Sequence, residues 1–409
     1  MNATTLTRRG FGGVAGAAAL STLAGPASAT GAARPWPYLI GADVSWIPED
    51  EANGATYWQD GRRRDPLAIL ADCGFNAIKL RTFVDPANGY SKRTRGGPWC
   101  DLAQTLAFGR RIKAAGSHFS LTLHYSDDWA DPQKQAKPAA WAGLSFAQLV
   151  ERLGDYTTET IGALVRGGAA PDMVVIGNET TFGMLWPDGR VPLTIPTGNP
   201  QTDSVHLHAV DVGGYDHFAD LLKAGIAGVR VAAPHAKVML HNHLGRHWPI
   251  VRYWTDALLA RGVRPDGIGF SCYQQAAQGD WQHSFAAFAK AYPGLGFVAL
   301  EYSARKRYLN DLVHAGPHGW GSYIWEPTRH QEAIFRRDGK PAGEGARPDL
   351  LRQGINPAEA PGTAPAAQAA PPIDPSGGRY DADPEFVTLY RSLAHDYGLP
   401  PTRPITRRT

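Results

Sequence analysis

The stretch Met173-Val-Val-Ile-Gly-Asn-Glu179 decides the fold prediction, because it joins an apolar run to a polar exit. Four apolar residues are followed by a glycine, an amide and a carboxylate. A short apolar run of this kind is typical of a strand that is covered on both faces, as in a parallel sheet. We therefore predict a strand over Met173–Asn178, which places Asn178 and Glu179 at its carboxyl end.

Seven other runs of the same kind lie before and after this strand. They are Tyr38–Asp43, Asn76–Phe83, Ser117–His124, Lys237–His241, Gly267–Tyr273, Gly296–Glu301 and Gly321–Trp325. Amphipathic patterns typical of helices lie between them, for example at Asp65–Cys73, Leu102–Ala115 and Phe146–Arg166. Repeated alternation of strand and helix predicts parallel strands joined by crossover helices. Eight such units predict an α/β fold, a (β/α)8 TIM barrel that forms a single catalytic domain.

The alternative architecture is an open, doubly wound sheet. That fold normally carries a glycine-rich, phosphate-binding turn after its first strand. The first strand here leads into Gly41-Ala-Asp-Val-Ser45, which lacks that pattern. The barrel is therefore the favoured prediction.

Two stretches interrupt the alternation. Trp186–Gly214 follows the fourth strand, is rich in glycine, proline and aspartate, and is predicted to be a long functional or mobile loop. Pro341–Gly378 is rich in alanine and proline, and is predicted to be an insertion that is poorly ordered or lies along the surface. Asp383-Pro384 then supplies an N-cap and a first-turn proline for the last helix. The insertion therefore lies within one domain, over residues 30–409.

The first 29 residues resemble an export signal. Paired arginines in Thr7-Arg-Arg-Gly-Phe11 precede an apolar run, and Ala27-Ser-Ala29 offers a small-residue cleavage site. The arginine pair favours the twin-arginine route. A disordered basic N-terminus is the alternative. We predict a signal peptide over residues 1–29 and a protein that is periplasmic or extracellular.

Composition narrows the choice of partners. The formal net charge is +3 and charged residues are spread along the chain, so neither nucleic acid nor a membrane surface is expected as a partner. Cys73, Cys100 and Cys272 form neither a disulfide framework nor a Cys-x-x-Cys pair. The 12 tryptophans and 15 tyrosines mostly fill the core, but such a surplus also suits flat surfaces for sugar rings. We expect a monomer that needs no cofactor.

Polar and aromatic side chains gather at the carboxyl ends of the predicted strands, where barrels of this type hold their active sites. Glu179 and Glu301 each end an apolar strand, and two βα units separate them. Glycoside hydrolysis requires two carboxyl groups across a sugar-sized gap, one as a protonated acid and the other as a nucleophile or as a base for water. Arg81 and Tyr273 are predicted to hydrogen-bond the nucleophile and keep it charged.

Histidines in His241-Asn-His-Leu-Gly-Arg-His247 raise a different alternative, a metal-dependent hydrolase. Such a site needs ligands from several other strands, and the first strand lacks the His-x-His pair that is typical of those barrels. Asp127-Asp128 could likewise suggest a cation. We predict no metal site.

Several longer motifs between Gly41 and about Pro327 point to a particular family. They are Gly41–Ser45, Leu80–Pro86, His124–Pro132 with Lys134-Gln135 and Pro138–Trp141, Gly177–Glu179 with Gly183–Pro187, Ile268–Ser271, and Trp325–Pro327. At these stretches the sequence resembles the arabinogalactan endo-β-1,4-galactanases of glycoside hydrolase family 53. That family belongs to a large clan of retaining (β/α)8 glycosidases. The resemblance implies a retaining endo-glycosidase that hydrolyses β-1,4-galactosidic linkages, with a polysaccharide, galactan or arabinogalactan, as its substrate.

The resemblance implies a role for each residue on the predicted rim. Glu179 would be the acid/base and Glu301 the nucleophile of a retaining mechanism, with the two carboxyl groups about 5 Å apart. Trp325 would stack on the sugar at the point of cleavage. The same subsite would be lined by Asp43, His124, Asp127, Asn178 and Tyr273. Arg81 and Glu326 are further candidates for substrate binding, although Glu326 could instead anchor Arg329.

The sequence departs from the family pattern in two segments and at one further position. The family motif Glu-Thr-Ala-Tyr-Pro is replaced by Glu301-Tyr-Ser-Ala-Arg305, Tyr-Tyr-Pro is replaced by Cys272-Tyr-Gln-Gln275, and Lys79 stands where the family usually has arginine. These departures keep two alternatives open. One is a clan-related β-glycosidase of different glycan specificity, and the other is a non-catalytic carbohydrate-binding homologue.

Overall fold

The computed structural model describes residues 34–94, 96–207, 209, 211–273, 279–328, 330, 333–338, 340–341 and 377–400. Eight parallel strands close into a barrel. They are β1 (Leu39–Asp43), β2 (Ala77–Thr82), β3 (His118–Leu123), β4 (Met173–Ile176), β5 (Lys237–Asn242), β6 (Gly267–Ser271), β7 (Gly296–Tyr302) and β8 (Gly319–Trp325). Each strand pairs with its neighbours in sequence, and β1 closes the ring on β8. The prediction of a (β/α)8 barrel is confirmed.

Helices surround this barrel. Those of the described residues are α1 (Ile47–Ala52), α2 (Pro66–Asp72), α3 (Leu102–Ala114), α4 (Phe146–Arg166), α5 (Pro200–His206), α6 (Gly214–Ala232), α7 (Trp248–Ala260), α8 (Trp281–Ala291), α9 (Lys306–Ala315) and α10 (Pro384–Asp396). Side-chain caps begin many of them. Ser145 forms a capping box with Gln148 at the start of α4, and Asp383 caps α10 ahead of Pro384, where the sequence predicts it. None of the described helices is long and apolar enough to cross a membrane.

Strand residues alternate between two cores, as the two-residue period of a strand requires. Met173 and Val175 belong to a cluster built mainly from strand residues, which fills the barrel interior. Val174 and Ile176 belong to a larger cluster shared with the helices. Both faces of β4 are therefore apolar, which explains the unbroken apolar run of its sequence.

The strand β4 ends two residues earlier than predicted. Gly177 and Glu179 have φ angles of 75° and 47°, so the backbone turns left-handed at the mouth of the barrel. A non-glycine residue in this conformation costs about 1–2 kcal/mol, so surrounding contacts must hold Glu179 in place. Glu179 therefore projects from a sharp turn rather than from a continuing strand.

The long loop after β4 is more ordered than predicted. It contains α5 and, just before it, a small hairpin in which Gly183–Met184 pairs with Gly189–Arg190. Asp203 in α5 accepts hydrogen bonds of 2.7 Å from both the backbone N–H and the hydroxyl of Thr197. These bonds anchor α5, a helix that the composition of the loop did not predict.

A five-stranded sheet outside the barrel was also not predicted. It joins Ala55–Gln59 and Arg62–Arg64, from the loop after β1, to Phe335–Arg337, Lys340–Pro341 and Gly378–Ala382 near the end of the chain. The ends of the predicted insertion thus lie in a sheet, while residues 342–376 lie outside the described residues. The predicted signal peptide over residues 1–29 also lies outside them.

Candidate active site

Glu179 follows β4 at the carboxyl-terminal mouth of the barrel and is only 5% exposed. Its Oε1 accepts a hydrogen bond of 2.6 Å from the Ser271 hydroxyl on β6. Its backbone N–H donates to Nδ1 of His241 on β5, at 3.1 Å. Burial raises the pKa of Glu179 well above its usual value, and the negative charge of Glu301 raises it further. Glu179 is therefore disposed to hold a proton.

Glu301 lies near the end of β7 and is 8% exposed. The ammonium of Lys79 on β2 lies 3.4 Å from its Oε1 and 3.1 Å from Oδ2 of Asp43. Burial raises the pKa of Glu301, and the Lys79 charge is the largest influence that opposes this rise. Of the two coupled carboxyls, Glu301 is therefore the one that stays ionised while Glu179 holds the proton.

Lys79 takes the position that the sequence assigned to Arg81, so the prediction that Arg81 hydrogen-bonds the nucleophile is wrong. Arg81 instead pairs with Glu326, and its nearest contact with Asp43 is 3.9 Å. The reason is the strand register. Lys79 is level with Asp43 in the β1–β2 pairing, whereas Arg81 lies two residues farther along β2. Both side chains share one face of the strand, but only Lys79 is deep enough to reach Glu301.

Three tryptophans form an aromatic wall beside these charges: Trp46, Trp129 and Trp325. Their ring centroids are 5.3–6.4 Å apart, in tilted or edge-to-face contacts. The Arg81 guanidinium lies over Trp129, 4.2 Å from the ring centroid. Trp129 and Trp325 are partly exposed, so the predicted stacking platform at Trp325 belongs to a larger surface.

Two predicted substrate-binding residues also support the loops. Asp127 accepts backbone N–H groups from Asp85 at 3.0 Å and from Ala139 at 2.9 Å, which joins the loops after β2 and β3. His124 accepts the backbone N–H of Ala130 at Nδ1, at 3.2 Å. Burial lowers the pKa of His124 well below its usual value, so its ring is neutral.

The remaining predicted residues lie at the same mouth. Asn178 donates to the Ala130 carbonyl at 2.9 Å. The Tyr273 phenol lies close enough to both glutamates that, after burial, their charges raise its pKa most. Glu326 is fully buried and pairs with Arg81, so the structure gives it a supporting position; Arg329, its predicted alternative partner, lies outside the described residues. Direct contact of Glu326 with a substrate stays a prediction, as do the binding roles of the others.

Sequence reasoning named Lys79, His241 and Ser271 but did not predict that each of them contacts one of the two glutamates. Ser271 is level with Glu301 in the β6–β7 pairing, and the alternation along β2 puts Lys79 on the face of Arg81. Both relations can be read from strand register once the barrel is accepted. Among the described residues, no group of three or more His, Cys, Asp or Glu side chains could hold a metal ion.

A (β/α)8 barrel with two buried, interacting carboxyl groups beside a tryptophan wall at its carboxyl-terminal mouth has the form of a glycoside hydrolase. The comparison with known proteins is more specific. The model of glycosyl hydrolase family 53 matches residues 39–304, and the chain belongs to this family.

The chain is also similar to individual proteins. An uncharacterized protein of Niallia circulans is 38% identical over 329 residues, which cover 71% of this chain and 84% of the relative. A probable arabinogalactan endo-β-1,4-galactanase A of Aspergillus terreus is 34% identical over 326 residues, covering 70% and 85%. A solved structure from a study of two fungal β-1,4-galactanases has a TM-score of 0.62 at 24% identity, covering 74% of this chain and 96% of that one. The structural likeness supports the barrel fold.

Proposed function

We propose that this glycoside hydrolase is a retaining endo-β-1,4-galactanase that acts on galactan or arabinogalactan. The family and the named activity of the Aspergillus terreus relative support the substrate. The single observation that carries the chemistry is the contrast between the two carboxyls. One is hydrogen-bonded by a neutral serine and the other is ion-paired with a buried lysine.

In the first step, Glu179 donates its proton to the glycosidic oxygen while the Glu301 carboxylate attacks the anomeric carbon. The bond to the leaving sugar breaks, and a covalent galactosyl-enzyme forms. As Glu301 loses its negative charge, the main electrostatic influence that raised the pKa of Glu179 is removed. Glu179 is then the better base for the second step.

In the second step, water attacks the same anomeric carbon and gives its proton to Glu179. The bond between the sugar and Glu301 breaks, which regenerates the carboxylate. Two successive inversions give a product with the β configuration. Lys79 stabilises the carboxylate that leaves in this step, since its ammonium already faces Glu301 at 3.4 Å.

The surrounding side chains suit a sugar chain. Partly exposed Trp325 and Trp129 offer apolar faces for pyranose rings. Near them, Asn178, His124 and Tyr273 supply polar groups at the same mouth for hydroxyls. This mixture of flat apolar surface and hydrogen-bonding groups is expected of a glycan cleft.

We further propose that residues 1–29 direct export by the twin-arginine route, and that the mature protein is a monomer in the periplasm or medium. The Arg8-Arg9 pair supports the first part. Large exposed hydrophobic side chains occur mostly singly along the described chain, for example Val205, Val231 and Tyr308, which supports the second part. N-terminal sequencing of the exported protein tests the extent of the signal peptide. Loss of export in Arg8→Lys/Arg9→Lys tests the twin-arginine route, and light scattering tests the monomeric state.

Product analysis on β-1,4-galactan tests the activity. Wild-type protein should release oligogalactosides whose new reducing ends are first β by NMR, and Glu301→Gln should release none. An α product would contradict retention. Intact galactan with the wild type would overturn the proposed substrate, and a panel of other β-glycans would then identify the alternative.

A further inference from the structure

The position of Glu179 is fixed at two points by one histidine. His241 Nδ1 accepts the backbone N–H of Glu179 at 3.1 Å, and His241 Nε2 lies 2.9 Å from the Ser271 hydroxyl oxygen. Ser271 in turn donates to Glu179 Oε1 at 2.6 Å. His241 on β5 and Ser271 on β6 therefore link the backbone N–H of Glu179 to its own carboxyl group.

This geometry determines where the protons lie. Because Nδ1 accepts the N–H of Glu179, the proton of the neutral imidazole is on Nε2. Nε2–H therefore donates to the Ser271 oxygen, and the Ser271 hydroxyl hydrogen points to Glu179 Oε1. A proton on Nδ1 would instead point to Asn178 Oδ1, 3.2 Å away, and would place two donors face to face at Glu179.

We propose that His241 and Ser271 are positioning residues that reserve Oε1 of Glu179 as an acceptor and so direct the catalytic proton to Oε2. With Oε1 occupied by the Ser271 hydroxyl, a proton on Glu179 must reside on the other oxygen. The inference rests on the proposed role of Glu179 as acid/base. It also explains how the left-handed backbone at Glu179 is held, since His241 accepts its N–H.

His241 and Ser271, which together form a hydrogen-bonded relay to Glu179, are fully buried and uncharged. His241 and Ser271 are both 0% exposed, and burial keeps the pKa of His241 well below its usual value. The charged groups that act on Glu179 are Glu301 on β7, Asp131 after β3 and Lys79 on β2. They come from other elements, so removing the Ser271 hydroxyl leaves them in place.

The test compares Ser271→Ala with a matched control, Ser120→Ala. Ser120 is also a fully buried barrel serine, but its hydroxyl contacts the Tyr323 phenol, at 2.6 Å. Each variant is assayed on β-1,4-galactan and on a dinitrophenyl β-glycoside of galactobiose. The second substrate has a leaving group that departs with little help from an acid.

For Ser271→Ala we expect kcat/KM on galactan to fall about tenfold, the size of one hydrogen bond to a charged group. On the dinitrophenyl substrate the fall should be about twofold or less. The hydroxyl stabilises ionised Glu179, so its loss raises the pKa of Glu179 and moves the basic limb of the pH profile to higher pH. Ser120→Ala should change neither substrate preference nor the basic limb, and Ser271→Thr, which keeps the hydroxyl, should restore most of the activity.

Equal losses on both substrates with an unmoved basic limb would overturn the relay and leave Ser271 a packing residue. If Ser271→Ala does not fold, Ser271→Thr and Ser271→Cys provide the same comparison, because cysteine is the weaker donor. A wild-type protein that leaves galactan intact would instead contradict the proposed function. That outcome is seen before any variant is compared.

Discussion

The two sides of the barrel mouth surround a buried glutamate with different hydrogen-bond donors. Glu179, on the β4–β6 side, is held by the neutral Ser271 hydroxyl, whereas Glu301 faces the buried Lys79 ammonium. Both carboxyls are buried to a similar degree, so burial alone does not distinguish them. The difference lies in the charge of the nearest donor. A neutral donor leaves the carboxyl able to hold a proton, and a cation keeps its neighbour ionised.

The largest expected effect comes from removing either carboxyl. Glu301→Ala and Glu179→Ala should each lower kcat/KM on galactan by about four orders of magnitude or more. Azide should distinguish them when a dinitrophenyl substrate is used. In Glu301→Ala, azide replaces the missing nucleophile and yields the α-glycosyl azide. In Glu179→Ala, azide attacks the galactosyl-enzyme and yields the β-glycosyl azide.

NMR of the azide products checks this assignment. The unsubstituted protein under the same conditions should form no azide adduct, since water and Glu179 complete its second step. An α product from Glu179→Ala would reverse the roles of the two sides.

The next effect in size concerns the cation on the Glu301 side. Lys79→Met should lower kcat/KM by about 100-fold and move the acidic limb of the pH profile to higher pH. The sign follows because Lys79 lowers the pKa of Glu301, and the nucleophile must be ionised to act. Lys79→Arg keeps the charge and should retain most of the activity.

Stability must be measured alongside, because Lys79→Met also leaves Asp43 without a cation that lies 3.1 Å away. Loss of one partner from a buried ion pair costs about 3–5 kcal/mol. Thermal unfolding followed by circular dichroism gives the folded fraction. An acidic limb that stays in place in folded Lys79→Met would mean that Lys79 supports Asp43 rather than Glu301.

A smaller effect is expected from the aromatic wall. Trp129→Ala removes the ring that lies under the Arg81 guanidinium, a contact worth about 0.5–2 kcal/mol. We expect KM on galactan to rise about tenfold with little change in kcat and in either pH limb. Trp36→Ala is the matched control, because Trp36 is also partly buried but packs on Trp320 and His118 at the opposite end of the barrel. A fall in kcat that matches the rise in KM would place Trp129 in the chemistry rather than in binding.

How much of the structure can be predicted from the sequence depends on the kind of interaction. The barrel, the N-cap of α10 and the convergence of the rim residues follow from local patterns, namely apolar period, capping chemistry and strand ends. Local patterns do not predict whether Lys79 or Arg81 contacts Glu301. Both side chains lie on one face of β2, and only the register with β1 fixes their depth in the barrel. The outer sheet was missed for a related reason, since Gly378–Ala382 pairs with Ala55–Gln59 from the other end of the chain. Pairings between distant segments leave little trace in either segment alone.

The smallest effect sharpens the comparison of the two sides, because a second serine lies on the Glu301 side. The Ser45 hydroxyl donates to Asp43 Oδ1 at 2.9 Å, and Asp43 in turn contacts Lys79. Ser45 is thus separated from Glu301 by two residues, Asp43 and Lys79, whereas Ser271 contacts Glu179 directly. Ser45→Ala should lower kcat/KM about threefold, equally for galactan and for the dinitrophenyl substrate. A leaving-group dependence as large as that of Ser271→Ala would mean that proton delivery is shared by both sides of the mouth, and the distinction between a neutral and a charged side would fail.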